Sequence, residues 1–232
     1  IMVKTLGKNF SANNSSKNID VVGVGKVGKR DSNGKKSDFY ETPYTLTRKF
    51  LEVENFNKDQ SVCEPACGGG AITKVIKEYW NDNLITAYDK ETNFLWDYNE
   101  YNYIITNPPF SLAFEFIQKA KQLAKSKFAF LLPLYYLHGK KRYDEIFSDR
   151  TYGLEKIYVF TRSPMLGETL REDGKHNTGM MPYAWYVWTN GYTGQPILDW
   201  IDNNEDILSK KDFEIKKELT DNSLSDIVNN KS

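Results

Sequence analysis

A run of strand-forming residues at 103–106 ends abruptly in Asn107-Pro108-Pro109-Phe110, and no regular element continues through that stop. Consecutive prolines fix two φ angles and remove two backbone donors, so neither a central strand nor a helix interior accommodates them. The chain must leave its sheet at Asn107 in an extended turn that presents this side chain at the strand's end. Such a corner suits one kind of chemistry. The amino group of a nucleobase or amide delocalises its lone pair into the adjoining π-system and is a poor nucleophile. Two acceptors converging on one NH₂, the Asn107 side-chain oxygen and the Pro108 carbonyl, would localise that pair, with Phe110 offering a face for stacking. The plainer alternative is an Asn-Pro turn that merely ends a strand.

A second constraint lies upstream, in Glu64-Pro65-Ala66-Cys67-Gly68-Gly69-Gly70, between a short apolar run and a helical pattern. Glycines there allow tight turning and close approach of backbone to a ligand. No Lys-Ser or Lys-Thr follows the last glycine, so this is not a phosphate loop of the Walker type. Acidic Glu64 suits a cationic ligand. With S-adenosylmethionine (SAM), its carboxylate can meet the ammonium directly or through water, while backbone amides serve the ligand's carboxylate. Asp89 closes the next apolar run about 20 residues on, the separation at which an acidic residue accepts both ribose hydroxyls in doubly wound folds. Asn93-Phe94 follows: either Phe94 covers the cofactor's adenine while Asn93 reads its amino edge, or the two are a loop residue and a core ring. Gly23-Val24-Gly25-Lys26-Val27-Gly28 imitates a dinucleotide fingerprint, but no amphipathic helix follows it.

Short apolar runs alternating with helical patterns predict an α/β fold on a mostly parallel sheet. Helices are expected at 44–53, 71–80 and 112–125, and strands at 61–63, 84–88, 103–106 and 128–132, then at 155–160 and 183–189. Residues 1–36, rich in Asn, Ser, Gly and Lys, read as a flexible basic arm. Residues 37–200 form the expected catalytic domain, and 201–232 an acidic tail. The polar stretch 162–181 exceeds ordinary connector length and is the candidate recognition loop. Its Arg162, Arg171, Lys175 and His176 either contact nucleic acid or form a charged, solvated surface. Over 232 residues, 31 Lys and Arg balance 31 Asp and Glu, so any basic field must be local. Cys63 and Cys67 match no zinc spacing, and no metal is expected. The absence of an apolar signal core or membrane-length run predicts a cytoplasmic protein.

Thr42-Pro43 ahead of a helix, EPACGGG, Asp89 and NPPF together resemble the SAM-dependent DNA adenine-N6 methyltransferases, with cofactor motifs before the catalytic motif as in their gamma arrangement. The resemblance covers residues 38–190. It implies a Rossmann-like class I methyltransferase fold: a doubly wound, mostly parallel sheet with a terminal antiparallel strand pair. It implies SAM as cofactor, with Thr42 and Pro43, and Tyr40 nearby, against its methionine part, and with Glu64, Pro65, Ala66, Cys67, Gly68, Gly70, Asp89, Asn93, Phe94 and Asn107 completing the cofactor site. Asn107, Pro108, Pro109 and Phe110 would hold an adenine swung out of DNA. Tyr135, Tyr136, Phe160 and Trp185 are candidates for the pocket's other wall or, as strand and core residues, for neither.

Two departures stand out. Asn93 replaces the family's usual Asp, and there is little room for a separate recognition domain, so the recognised sequence should be short. NPPF-like motifs also resemble those of guanine-N2, cytosine-N4 and protein-glutamine methyltransferases, and a non-catalytic SAM- or nucleic-acid-binding module is the remaining alternative. A homodimer or a partner within a restriction-modification system stays open.

Overall fold

The computed structural model describes residues 42–88, 94–162 and 181–203. The expected arm, all of the expected tail past residue 203, Tyr40, Asp89, Asn93, Arg171, Lys175 and His176 lie outside them.

The predicted helices and strands all form, with shifted ends. Helix α1 is Tyr44–Val53 and α2 is Ala71–Ile76. Beyond Ile76 the chain tightens, with Tyr79 N–H and Trp80 N–H both donating to Ile76 O, so the helix stops short of the expected residue 80. Helix α3 spans Ala113–Leu123. Strands β1 to β4 are Val62–Glu64, Ile85–Ala87, Tyr101–Thr106 and Ala124–Pro133. Strands β5 to β7 are Tyr152–Phe160, Tyr183–Asn190 and Ile197–Ile201. Strand β4 begins earlier than its apolar run because parallel pairing with β3 and antiparallel pairing with β6 hold the backbone of its polar start.

The seven strands lie in the order β2-β1-β3-β4-β6-β5-β7. Strand β6 runs antiparallel to both neighbours, which gives the expected antiparallel pair with β5. The pair is not the sheet's end, however, since β7 adds beyond it, parallel to β5. That strand was not predicted. Its residues are exposed except Ile201, so it lacks the buried alternation by which sequence betrays a strand.

Successive residues feed opposite faces of the sheet. Ile105, Ala129, Leu131, Trp185 and Val187 pack with α1 and α2, including Leu46, Phe50, Ile72 and Val75. Ile104, Phe128, Phe130, Tyr186 and Trp188 pack with Phe116 and Ile117 of α3. Both faces are therefore covered, which is why these strands are apolar throughout rather than alternating with polar residues. Phe50 stacks on Trp185 at 4.5 Å between centroids, and Trp185 Nε1 donates to Leu46 O at 3.1 Å, tying α1 to β6.

Buried Glu54, just past α1, accepts from Lys127 Nζ at 2.6 Å, Lys156 Nζ at 3.0 Å and Tyr158 OH at 2.8 Å. Burial would raise its pKa, but these hydrogen bonds together outweigh that and hold the carboxyl below its ordinary range. Among the described residues no helix is long and apolar enough to cross a membrane.

Candidate active site

Strand order locates the site before any side chain does. From β1 the chain crosses to β2 on one side and then returns to β3 on the other, so the order reverses between β1 and β3. Crevices at the carboxyl ends of such strands are where open α/β sheets bind ligands. Glu64 ends β1 and Thr106 ends β3, and the two strands are parallel partners with Cys63 opposite Ile104. EPACGGG and NPPF therefore leave the sheet side by side, on strands about 4.8 Å apart.

The glycine turn is built by its backbone. Tyr88 N–H donates to Glu64 O at 3.0 Å, Cys67 N–H to Tyr88 O at 2.7 Å, and Gly70 N–H to Cys67 O at 2.6 Å. Gly68 and Gly70 have φ of 49° and 79°, and Gly70 caps α2 in this left-handed conformation, which side-chain-bearing residues resist. Ala66, Cys67, Gly68 and Gly70 are partly exposed, while Pro65 is buried.

Glu64 differs from the simple expectation. Only 1 % exposed, its side chain accepts a hydrogen bond from the hydroxyl of Thr73 in the first turn of α2. Burial pushes its pKa up to about 7, against the lowering effect of side-chain and backbone bonds from Thr73. It anchors the helix that leaves the turn, a role its motif position did not disclose.

Thr42 and Asn107, 65 residues apart, meet directly: Asn107 Nδ2 donates to the buried Thr42 Oγ1 at 3.0 Å. That bond commits the amide nitrogen and fixes the orientation of its oxygen. Pro43 is buried and starts α1, with Leu46 N–H donating to Pro43 O at 3.1 Å. Pro108 is buried, and Pro109 and Phe110 are partly exposed. Phe110 stacks on Tyr183, the first residue of β6, at 5.9 Å and 27°.

Phe94 is fully buried against Phe116 at 5.0 Å, so its ring is a core ring with no face open to a cofactor's adenine. Phe160 and Trp185 are likewise core residues, whereas Tyr135 is exposed. Arg162 is exposed, and its carbonyl accepts from Asn203 Nδ2 at 2.7 Å. It follows β5, whose direction matches β4, so both ends of the 162–181 connection emerge on the NPPF edge. His138 is exposed.

Three groups escaped sequence reading. Tyr88 and Tyr101 both bond Asp97, the latter at 2.8 Å, pinning the chain on either side of residues 89–93. Tyr183 gives Phe110 its stacking partner. Finally, residues 139–142 join Phe110, Phe114 and Tyr136, the last already a wall candidate in the sequence, around a cavity of about 370 Å³. Only a fold places these distant residues beside NPPF, although the Lys140-Lys141-Arg142 run was visible.

No protein-family model matches the chain, and no curated protein matches it in sequence. Solved structures do resemble it in shape. A modification subunit assigned to a type I restriction enzyme of Vibrio vulnificus superposes with a TM-score of 0.52 at 13% identity, covering 79% of this chain and 53% of that one. The methyltransferase subunit of a type I restriction-modification system from Streptococcus thermophilus gives 0.49 at 13% identity, with coverage of 77% and 53%. A Pyrococcus horikoshii protein assigned as an RNA methyltransferase gives 0.47 at 12%, with coverage of 65% and 87%. The chain spans about half the length of the two restriction-system subunits. The fold is thus the Rossmann-like α/β fold of that Vibrio subunit.

Proposed function

We propose that the chain transfers a methyl group from SAM to the exocyclic N6 amino group of adenine in DNA. The observation that carries this reading is the Asn107–Thr42 hydrogen bond at the β1/β3 switch point. It joins the threonine-proline segment to the residue suited to gripping a planar amine, at the end of the strand next to the one that leads into the glycine turn. The likeness in shape to a restriction-enzyme modification subunit supports the DNA substrate.

The residues fit the cofactor. The turn at 66–70 is accessible and, with Cys67 N–H and Gly70 N–H committed to Tyr88 O and Cys67 O, leaves the Gly68 and Gly69 N–H groups to meet a carboxylate. Glu64, with its pKa near 7, would be driven to its anionic form by a nearby sulfonium or ammonium cation. SAM supplies an electrophilic methyl group on a positively charged sulfur. Asn107 Oδ1, oriented by Thr42, and the Pro108 carbonyl accept the two N6 hydrogens and turn the nitrogen lone pair out of the ring's π-system. SAM bound against this corner would supply its methyl group to that nitrogen and keep the electron pair of the broken carbon–sulfur bond on sulfur, and the nitrogen would release its extra proton to solvent. Phe110, held by Tyr183, provides a wall for the base. Stacking on it offsets part of the few kcal/mol that extracting an adenine from a duplex costs.

Incubation with methyl-labelled SAM and adenine-containing DNA, followed by nucleoside analysis, tests the reading. Label in N6-methyladenine is the expected result. Label in cytosine-N4, in RNA guanine-N2 or in protein glutamine would retain methyl transfer and replace the substrate. No transfer, with SAM still bound, would leave a binding module.

A further inference from the structure

Beside Phe110 the cavity of about 370 Å³ is within the usual size range of ligand pockets, and the chemistry of its walls is mixed. Phe110, Phe114 and Tyr136 are aromatic, whereas Lys140, Lys141 and Arg142 form a basic lip. The three cations are not equivalent. Lys140 is neutralised by Asp144 at 2.6 Å. Arg142 lies 4.7 Å from the Tyr136 ring centre, and its Nε donates to His138 O at 2.8 Å, which holds the lip in shape. Lys141 Nζ lies 4.1 Å from the Phe114 ring centre and has no acidic partner among the described residues. Deeper in, Tyr136 is only 6 % exposed, and its hydroxyl has no hydrogen-bond partner among the described residues. That hydroxyl is closed off, so Tyr136 meets the cavity with its ring rather than with the hydroxyl.

We infer that this cavity holds the nucleotide adjoining the methylated one, its phosphate on Lys141 and its sugar or base against the aromatic wall of Phe114 and Tyr136. The assignment rests on the methyl-transfer reading for its occupant, because Phe110 belongs both to this cavity and to the NPPF corner. An anion is required by the lip, a flat or apolar body by the rings, and a polymer by the need to continue into the neighbouring site. It also locates a basic field that a net charge of zero conceals.

The test measures binding of the full chain to a fluorescent adenine-containing DNA oligonucleotide by anisotropy over a salt series, with S-adenosylhomocysteine present. Lys141→Gln should weaken binding across all sequences and reduce the slope of log affinity against log salt by about one. Tyr136→Phe keeps the ring and removes only the closed-off hydroxyl, so DNA affinity and salt slope should stay at the parent's values. Calorimetric affinity for SAM should be unchanged in both. Wild-type DNA affinity and salt slope in Lys141→Gln, or a loss of its SAM affinity, would overturn the assignment, as would absence of DNA binding by the parent chain. A parent chain that binds DNA with the Lys141-dependent slope yet transfers no methyl would sink the catalytic reading and support this one. Normal methylation with Lys141→Gln binding DNA normally would do the reverse.

Discussion

Replacing Glu64 by Gln separates the two tasks that this residue would combine. In the cofactor-free chain its pKa is near 7, whereas the unfolded chain releases that proton near the ordinary 4.5. The folded state therefore holds the proton more tightly, and stability falls as pH rises from 4.5 through 7. The gap corresponds to about 3 kcal/mol at about 1.4 kcal/mol per unit, all of it lost above pH 8. Glutamine cannot ionise, and its side-chain oxygen still accepts from the Thr73 hydroxyl. Glu64→Gln should thus match the parent near pH 4 and exceed it by about 2–3 kcal/mol at pH 8. For a chain of this size that is a rise of roughly 4–12 °C in midpoint. Thermal melts followed by circular dichroism at the two pH values, without cofactor, measure it. Saturating SAM should shrink or reverse the advantage, because a cation near the carboxylate favours its charged form. The same stability difference at both pH values, or a less stable variant at pH 8, would refute the reasoning.

Three further outcomes are expected. Asn107→Ala should lower turnover about a hundredfold or more while SAM binding by calorimetry survives, since the variant deletes one preorganised acceptor. Thr42→Val keeps the buried shape and removes the hydroxyl that Asn107 Nδ2 reaches, so turnover should fall roughly five- to tenfold with little change in melting. Glu54→Ala should cost about 3–5 kcal/mol in denaturant titrations by leaving Lys127 and Lys156 without their shared carboxylate. Its lowered pKa means that the Glu54 contribution is present above about 4.5 and is lost as pH falls toward the folded value, so the variant should show a flatter acid limb.

The parts of this protein legible in its sequence are those where chemistry and local conformation coincide. Prolines 108 and 109 had to end a strand, and glycines 68 and 70 had to turn one; both did, on neighbouring parallel strands. Apolar runs marked β3 and the centre of β4 because both faces of the sheet are covered. Strand β7 was illegible because it is an edge whose side chains meet solvent, so pairing rather than burial defines it. Phe94 could be read two ways, as cofactor cover or core ring, and only packing against Phe116 decides for the core. Glu64 was legible as a motif residue but not as the group that anchors α2, since that role depends on Thr73 returning to it. The basic lip at 140–142 is an ordinary charge run in sequence and becomes part of a cavity only when the turn after β4 folds beside Phe110.

The central claim is that residues 64–70 and 107–110 form one cleft for a sulfonium donor and a flat amine. A crystal structure of the full chain soaked with S-adenosylhomocysteine tests it most directly. The account predicts the ligand at the carboxyl ends of β1 and β3, its amino-acid end on the glycine turn and its sulfur facing Asn107. Ligand bound anywhere else on the chain, or lying there with Asn107 turned away behind intervening side chains, would contradict it.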